Sequence, residues 1–234
     1  MEAIVTGSHG DPFSVLGPHQ TDDGWEVRAF LPHAMDAAVL LDGVEHPLRK
    51  VRTEGLFVAP LPSDPGRYKL RLTLWNGTQL EVDDPYRFSP LVSEFDLHLH
   101  SEGTQYESYR TMGAHLVECE GVAGVRFAVW APNAEVMSVV GDFNDWDERR
   151  HPMRLRTAGI WEFFMPGAGA GMNYKYSVRS RVRGYRQQKA DPYGFATEKS
   201  VCSTRPVSGS IHNVPVEYSV SPLAPLTSDR PVFS

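Results

Sequence analysis

One short run of this sequence carries side chains that could do chemistry. Gly141-Asp142-Phe143-Asn144-Asp145-Trp146-Asp147 follows directly on the apolar run Val136 to Val140. An indole with Asp and Asn on either side is hard to bury whole, because each buried polar group needs a partner. Left at the surface, Trp146 presents a flat apolar face with polar groups at its rim. A sugar ring has the matching form, with apolar C–H faces and hydroxyl edges. Trp146 is therefore the candidate platform and Asn144 a flanking polar group. The competing reading is that Trp146 folds back as a lid on the core. Lys175, in Tyr174-Lys175-Tyr176, falls on the polar side of an alternating run. It either donates to sugar hydroxyls or stands free in solvent.

Other chemistry finds no support. Asp142, Asn144, Asp145 and Asp147 hint at a calcium loop, but the twelfth position from Asp142 is Met153, where an EF-hand places a bidentate Glu. His98 and His100 alternate on a candidate strand with no third ligand near in sequence. There is no glycine-rich phosphate loop. No catalytic residue, metal or cofactor is assigned. The 234 residues carry a formal net charge of -6, spread along the chain. That balance argues against a nucleic-acid partner, which needs a positive field. Two cysteines, Cys119 and Cys202, are too few for a disulfide framework and are read as reduced thiols. No run approaches the roughly 20 apolar residues that span a bilayer. The start, MEAIVTGSHGDP, lacks a basic n-region and an apolar core. No signal peptide and a cytoplasmic location are therefore expected.

The elements that must position Trp146 are β-strands, and they occur twice. Gly55-Leu56-Phe57 matches Gly159-Ile160-Trp161, Tyr68-Lys69-Leu70 matches Tyr174-Lys175-Tyr176, and Asp84-Pro85-Tyr86 matches Asp191-Pro192-Tyr193. The offset is 100 between Pro32 and Pro132 and 107 between Pro85 and Pro192, so small insertions separate copies of one domain. Within each copy short runs alternate with period two, as in Val125 to Ala131 and Tyr174 to Val178, separated by Gly, Pro, Asn and Asp. The expected fold is all-β: two tandem immunoglobulin-like β-sandwich domains with a loose C-terminal tail. The expected boundaries are residues 1–97, a connector at 98–111, a second sandwich at 112–213 and a disordered tail at 214–234. Each sandwich is expected to have its own core, with a hinge near 97–112. A short helix is read at Asp11 to Gly17, capped by Asp11, and another turn or two at Gly103 to Met112. Trp130 and Trp161 recur at core-like positions and are read as packing. Trp25 and Trp75 are read as mostly packing in a structural first repeat.

The second repeat is specific enough to resemble a family. Tyr109 to His115, Gly124 to Ala134, Val139 to Asp147, Arg150-His151-Pro152-Met153 and Lys189 to Tyr193 are similar to the N-terminal region of bacterial 1,4-α-glucan (glycogen) branching enzymes. The first repeat, with Asp11-Pro12-Phe13 and Asp84 to Phe88, resembles the extra N-terminal sandwich of those enzymes. The resemblance covers roughly residues 9–212. It implies a starch-binding-type module that holds an α-1,4-glucan such as glycogen through Trp146, with Lys175 donating to hydroxyls. Tyr185 lies near the place of a second tryptophan in the similar module of the β subunit of the AMP-activated protein kinase. The resemblance also implies a catalytic (β/α)8 barrel as a partner, in cis or in trans. No run of alternating strands and helices supplies that barrel here. The alternative reading is a protein-docking scaffold or a truncated, inactive remnant.

Retaining glycosyl transfer needs two carboxyl groups about 5 Å apart on a rigid frame. This polypeptide by itself is therefore expected to leave amylose unchanged. Iodine colour and new α-1,6 linkages measure this, and turnover well above a blank would contradict it.

Overall fold

The computed structural model describes residues 1–182 and 184–195. Cys202 and the expected tail at 214–234 lie outside them. Seven strands build the first sandwich: β1 (Gly17–Thr21), β2 (Gly24–Phe30), β3 (Ala34–Leu41), β4 (Val44–Arg52), β5 (Leu56–Leu61), β6 (Lys69–Leu74) and β7 (Gln79–Asp83). They pair antiparallel in the order β1-β2-β5-β4-β3-β6-β7. β4 serves both layers. Its first half pairs with β3 and its second half with β5, and its register shifts between Lys50 and Arg52. Such a bulge bends a strand and lets it change sheets. Val27, Ala29, Val39, Phe57, Leu70 and Leu72 fill the space between the layers. They come from alternate positions of their strands, as the period of two requires.

The second sandwich comprises β8 (Gly113–Cys119), β9 (Val122–Trp130), β10 (Ala134–Gly141), β11 (Arg154–Leu155), β12 (Ile160–Pro166), β13 (Tyr174–Ser180) and β14 (Arg186–Lys189). One sheet has the order β11-β12-β9-β8 and the other β10-β13-β14. The internal repeat is visible atom by atom. Gly55 and Gly159 both have positive φ, 106° and 76°. A Cβ on either would stand 2.6 Å from the Cα of Pro32 or Pro132, so only glycine fits. Tyr68 Oη donates to Asp84 Oδ2 at 2.6 Å, and Tyr174 Oη donates to Asp191 Oδ2 at 2.5 Å. The same carboxylates accept from the backbone N–H of Tyr86 and of Tyr193. Each Asp-Pro-Tyr motif thus pins the end of its sandwich to a neighbouring strand.

Several local expectations change. The stretch that looked like a linker contains a helix, α2 (Glu94–Glu102), after the short α1 (Glu2–Val5). Ser93 Oγ accepts from Asp96 N at 3.1 Å, Glu94 and Asp96 lie in the first turn, and Gly103 closes the helix with φ 71°. Those are helix-end signals. They place His98 and His100 on a helix, where a strand was expected. Leu97 of α2 packs with Met112, Ala128 and Ile160. Asp11 precedes a single 3-10 turn, Pro12–Ser14, without a side-chain cap bond. Trp161 is fully buried, with Nε1 donating to Ala131 O at 3.1 Å. Trp130 and Trp75 are not packing residues: they are 55% and 65% exposed. Trp130 ends its strand with Nε1 tied to Ala158 O, and Trp75 sits on the β6–β7 turn.

The two sandwiches also share a core. Ile4, Val5, Leu16, Phe30, Leu56 and Tyr86 cluster with Val125, Phe127, Trp161, Phe163 and Tyr176. Phe13, Tyr86 and Phe163 meet edge to face, with centroids 4.9, 5.8 and 6.2 Å apart. Arg154 lies 3.7 Å from the Phe13 ring centroid, and Arg156 joins Glu162 to the chain segment ahead of α2 through Val92 O. Phe163→Ala should therefore lower stability by about 3–5 kcal/mol. Both sandwiches should still melt together. Far-ultraviolet ellipticity and tryptophan emission followed on one sample test this. Two separated transitions would show that the shared core does not couple them.

Candidate functional site

Trp146 stands on the loop between β10 and β11. The loop begins at Gly141, where a Cβ would stand 2.3 Å from Asn173 O and 2.8 Å from the Phe143 ring. Asn144 organises the rest of the loop. Its Oδ1 accepts from Gly141 N at 2.9 Å. That bond sets the amide orientation, so Nδ2 donates to Val139 O at 2.9 Å and to His151 Nδ1 at 2.8 Å. The side chain is completely buried. Asn144, expected from sequence to flank a sugar, has its amide committed to interior partners. It turns inward and closes the loop. Trp146 N donates back to Gly141 O at 3.2 Å and Asp147 N to Asn144 O at 3.0 Å. Asp145 and Trp146 are both left-handed in this turn, at φ 55° and 59°. Such a backbone costs about 1–2 kcal/mol per residue other than glycine.

The outcome is an indole that is 37% exposed. Lys175, the second residue of β13, places Nζ 5.9 Å from the Trp146 ring centroid, near the outer limit for a cation–π contact. Glu148 ties the loop to the same sheet: Oε2 accepts from Ser177 Oγ at 2.5 Å and the carboxylate also pairs with Arg186 of β14. Asp147 is chelated by Arg149 through Nε and Nη2. Burial alone would raise the Asp147 carboxyl, but these hydrogen bonds and the Arg149 charge hold it below its usual value. Tyr185 is 39% exposed, with Lys189 Nζ 5.4 Å from its ring centroid. It lies at the far end of β13 from Lys175, about 16 Å away at roughly 3.3 Å per residue. The structure thus brings Trp146 and Lys175 together and leaves Tyr185 apart. The sequence reading missed Glu148, Ser177 and Arg186, because no local pattern shows which polar strand residues meet a distant loop.

Beneath the loop sit two neutral imidazoles. His151 is partly buried between the rings of Phe143 and Phe163, with centroids 5.9 and 5.5 Å away. Burial first, then the charge of Arg150, pulls its pKa down to about 3. The hydrogen bond from Asn144 needs a lone pair on Nδ1, so the same contact requires the neutral ring. His33, on the first sandwich, is lowered to about 4 by burial and by Arg150. Among the described residues no group of three or more His, Cys, Asp or Glu is placed to hold a metal ion, and no helix is long and apolar enough to cross a membrane. Cys119 is buried, which raises its thiol pKa.

Comparison with known proteins adds identity to this geometry. The family model for the alpha-1,4-glucan branching enzyme GlgB, N-terminal domain, matches residues 1–86. That for carbohydrate-binding module 48 (isoamylase N-terminal domain) matches residues 111–194. The 1,4-alpha-glucan branching enzyme GlgB of Rubrobacter xylanophilus is 50% identical over 202 residues, which are 85% of this chain and 28% of that enzyme. That of Paramagnetospirillum magneticum is 48% identical over 198 residues, 84% of this chain and 27% of the enzyme. The chain thus spans a little over a quarter of the length of the curated relatives it matches.

The imidazoles make the fold acid-sensitive. Both are neutral when folded and take a proton near the ordinary 6.5 when unfolded. Acid therefore favours the unfolded chain below pH 6.5, down to about 4 for His33 and about 3 for His151. Asp84 opposes them: burial raises its folded pKa to about 6 from 3.8, so protonation between those values favours the folded chain. Two histidines outweigh one carboxyl. The melting temperature should fall from pH 6.5 to pH 4, by roughly one net proton near pH 5. His33→Gln should make that slope shallower. A slope unchanged in the variant would show that His33 is not one of its sources.

Proposed function

We propose, for a chain that belongs with the N-terminal region of the 1,4-alpha-glucan branching enzyme GlgB, that its second sandwich holds an α-1,4-glucan chain on Trp146. The observation that carries this reading is the half-exposed indole, projected by two left-handed residues, with the Lys175 ammonium 5.9 Å from its ring centroid. One indole face covers about one pyranose ring, and stacking adds on the order of 1 kcal/mol beyond burial. Lys175 donates to hydroxyls at the ring edge and gives orientation more than affinity. Tyr185, about 16 Å along β13, is a second contact for a longer chain running beside that strand. Asn144 shapes the site and does not touch the ligand. The role is non-catalytic: the module gathers glycogen for a (β/α)8 barrel supplied in cis or in trans, in glycogen biosynthesis.

A second reading, a docking scaffold, draws support from Trp130. Its indole is 55% exposed and held by Ala158 O, with the His100 ring 5.9 Å away. This fixed aromatic surface lies on β9, away from the strand that carries Lys175. The two readings do not exclude each other, because glucan and partner would use different residues.

A single stacked ring with two or three hydrogen bonds gives affinity in the micromolar to millimolar range once immobilisation is offset. Trp146→Ala should weaken migration-retarding binding in glycogen gels about tenfold, and Lys175→Ala less. Stability should change by no more than about 1–2 kcal/mol, since Trp146 is only partly buried. Unchanged retardation in a folded Trp146→Ala chain would exclude this site. A melting temperature lowered by many degrees would instead support the lid reading.

A further inference from the structure

The loop that carries Trp146 is gripped by the first sandwich as well as by its own. Arg150 is the link, and it is held at both ends. Its carbonyl oxygen accepts from Tyr86 Oη at 3.3 Å, and its Nη2 donates to His33 Nε2 at 3.3 Å. Its Nη1 donates to Asp145 Oδ2 at 2.9 Å. Asp145 is the first of the two left-handed residues and is followed by Trp146. The Arg150 side chain is 13% exposed and that of Asp145 88%. An ion pair with so exposed a carboxylate adds little when both partners are free to move. Here the cation is already fixed, so the pair acts as a stay on the loop. Arg149 makes a parallel contact. Its guanidinium carbon lies 6.0 Å from the Phe30 ring centroid, and a Cβ on Gly7 would stand 3.1 Å from its Cγ.

We infer that the first sandwich is a positioning element for the glucan site of the second: His33 and Tyr86 fix Arg150, and Arg150 fixes Asp145. Trp146 is thereby kept in its half-exposed pose before the sugar arrives. This rests on Trp146 being the glucan platform. A loop already held in its bound form loses less freedom on binding. Loosening it lowers affinity although no atom that touches the sugar has been removed. The charges of Arg150, Asp145 and Asp147 act on His33, and His33 acts on His151, all on or beneath that loop. The neutral imidazole is the form whose lone pair can accept from Arg150.

The test uses the full chain, with maltoheptaose as the probe and calorimetry as the readout. His33→Leu and Arg150→Met should each weaken binding about five- to tenfold in chains that still melt cooperatively. His33→Gln, whose carboxamide oxygen can accept from Arg150, should regain most of the affinity, which a merely space-filling role would not predict. In a Trp146→Ala background, His33→Leu should cause no further loss. If His33→Leu and Arg150→Met bind as the parent does while Trp146→Ala does not, the positioning role is overturned and the glucan site stands. If Trp146→Ala itself binds as the parent does, the glucan reading fails and this inference with it. A full further loss from His33→Leu in the Trp146→Ala chain would also overturn it, because His33 would then act elsewhere. If Arg150→Met does not fold, the Leu and Gln variants of His33 decide the matter.

Discussion

The exposure of Trp146 depends on a carboxamide that never meets solvent. Asn144 joins the backbone of Gly141, the carbonyl of Val139 and the ring of His151, and each of these groups is interior or half-interior. Leaving a buried donor or acceptor unmade costs about 1–3 kcal/mol. Three such bonds are enough to hold two left-handed residues at about 1–2 kcal/mol each. Without that excess the loop would relax towards ordinary β backbone and the indole would turn to the nearest apolar surface. The exposed platform and the buried amide are two ends of one device. The core beneath the loop is filled by Phe143, His151 and Phe163.

That filling links the loop to the wider architecture. Phe163 touches His151 on one side and Tyr86 and Phe13 on the other. A chain of rings therefore runs from the first sandwich to the underside of the loop. The cations that face it, Arg154 on Phe13 and Arg149 beside Phe30, cover apolar edges while their charges find partners. Because the interior is close-packed, a shift in one ring is felt by the next. The first sandwich needs no sugar-binding residue of its own to influence the second.

Much of the fold was legible because strands announce themselves twice over, by period two and by the internal repeat. Gly55 with Gly159, and Asp84 with Asp191, could be matched from sequence, and the same contacts recur around them. The placement of Trp146 on a loop and of Lys175 on a strand was legible. What escaped was direction. Asn144 and Trp146 sit two apart in a turn-rich run, and composition cannot say that one points in and the other out when Asp145 and Trp146 are both left-handed. Trp130 and Trp161 looked alike as core positions, yet Trp130 ends its strand beyond the last core layer and Trp161 lies inside. The helix at Glu94–Glu102 was hidden by its polar face, since Leu97 is its one buried residue and gives no period to read.

As the proposed platform, one indole binds weakly, and its surroundings favour one kind of ligand. Its parts are stiff. Glu148 fastens the loop to β13 and β14, Arg150 fastens it to the first sandwich, and Asn144 fastens it to itself. Stiffness limits the freedom lost on contact, so more of a small contact energy appears as affinity. It also sets a ceiling, because a loop that cannot close around a ligand cannot bury more of it. For a lone sugar that ceiling would make the site nearly useless. For a polymer it is an advantage, because every released unit leaves a neighbour at high local concentration and the chain can slide without being lost. As the proposed glucan site, a rigid, open, single-ring platform suits a long repeating chain better than a lone sugar.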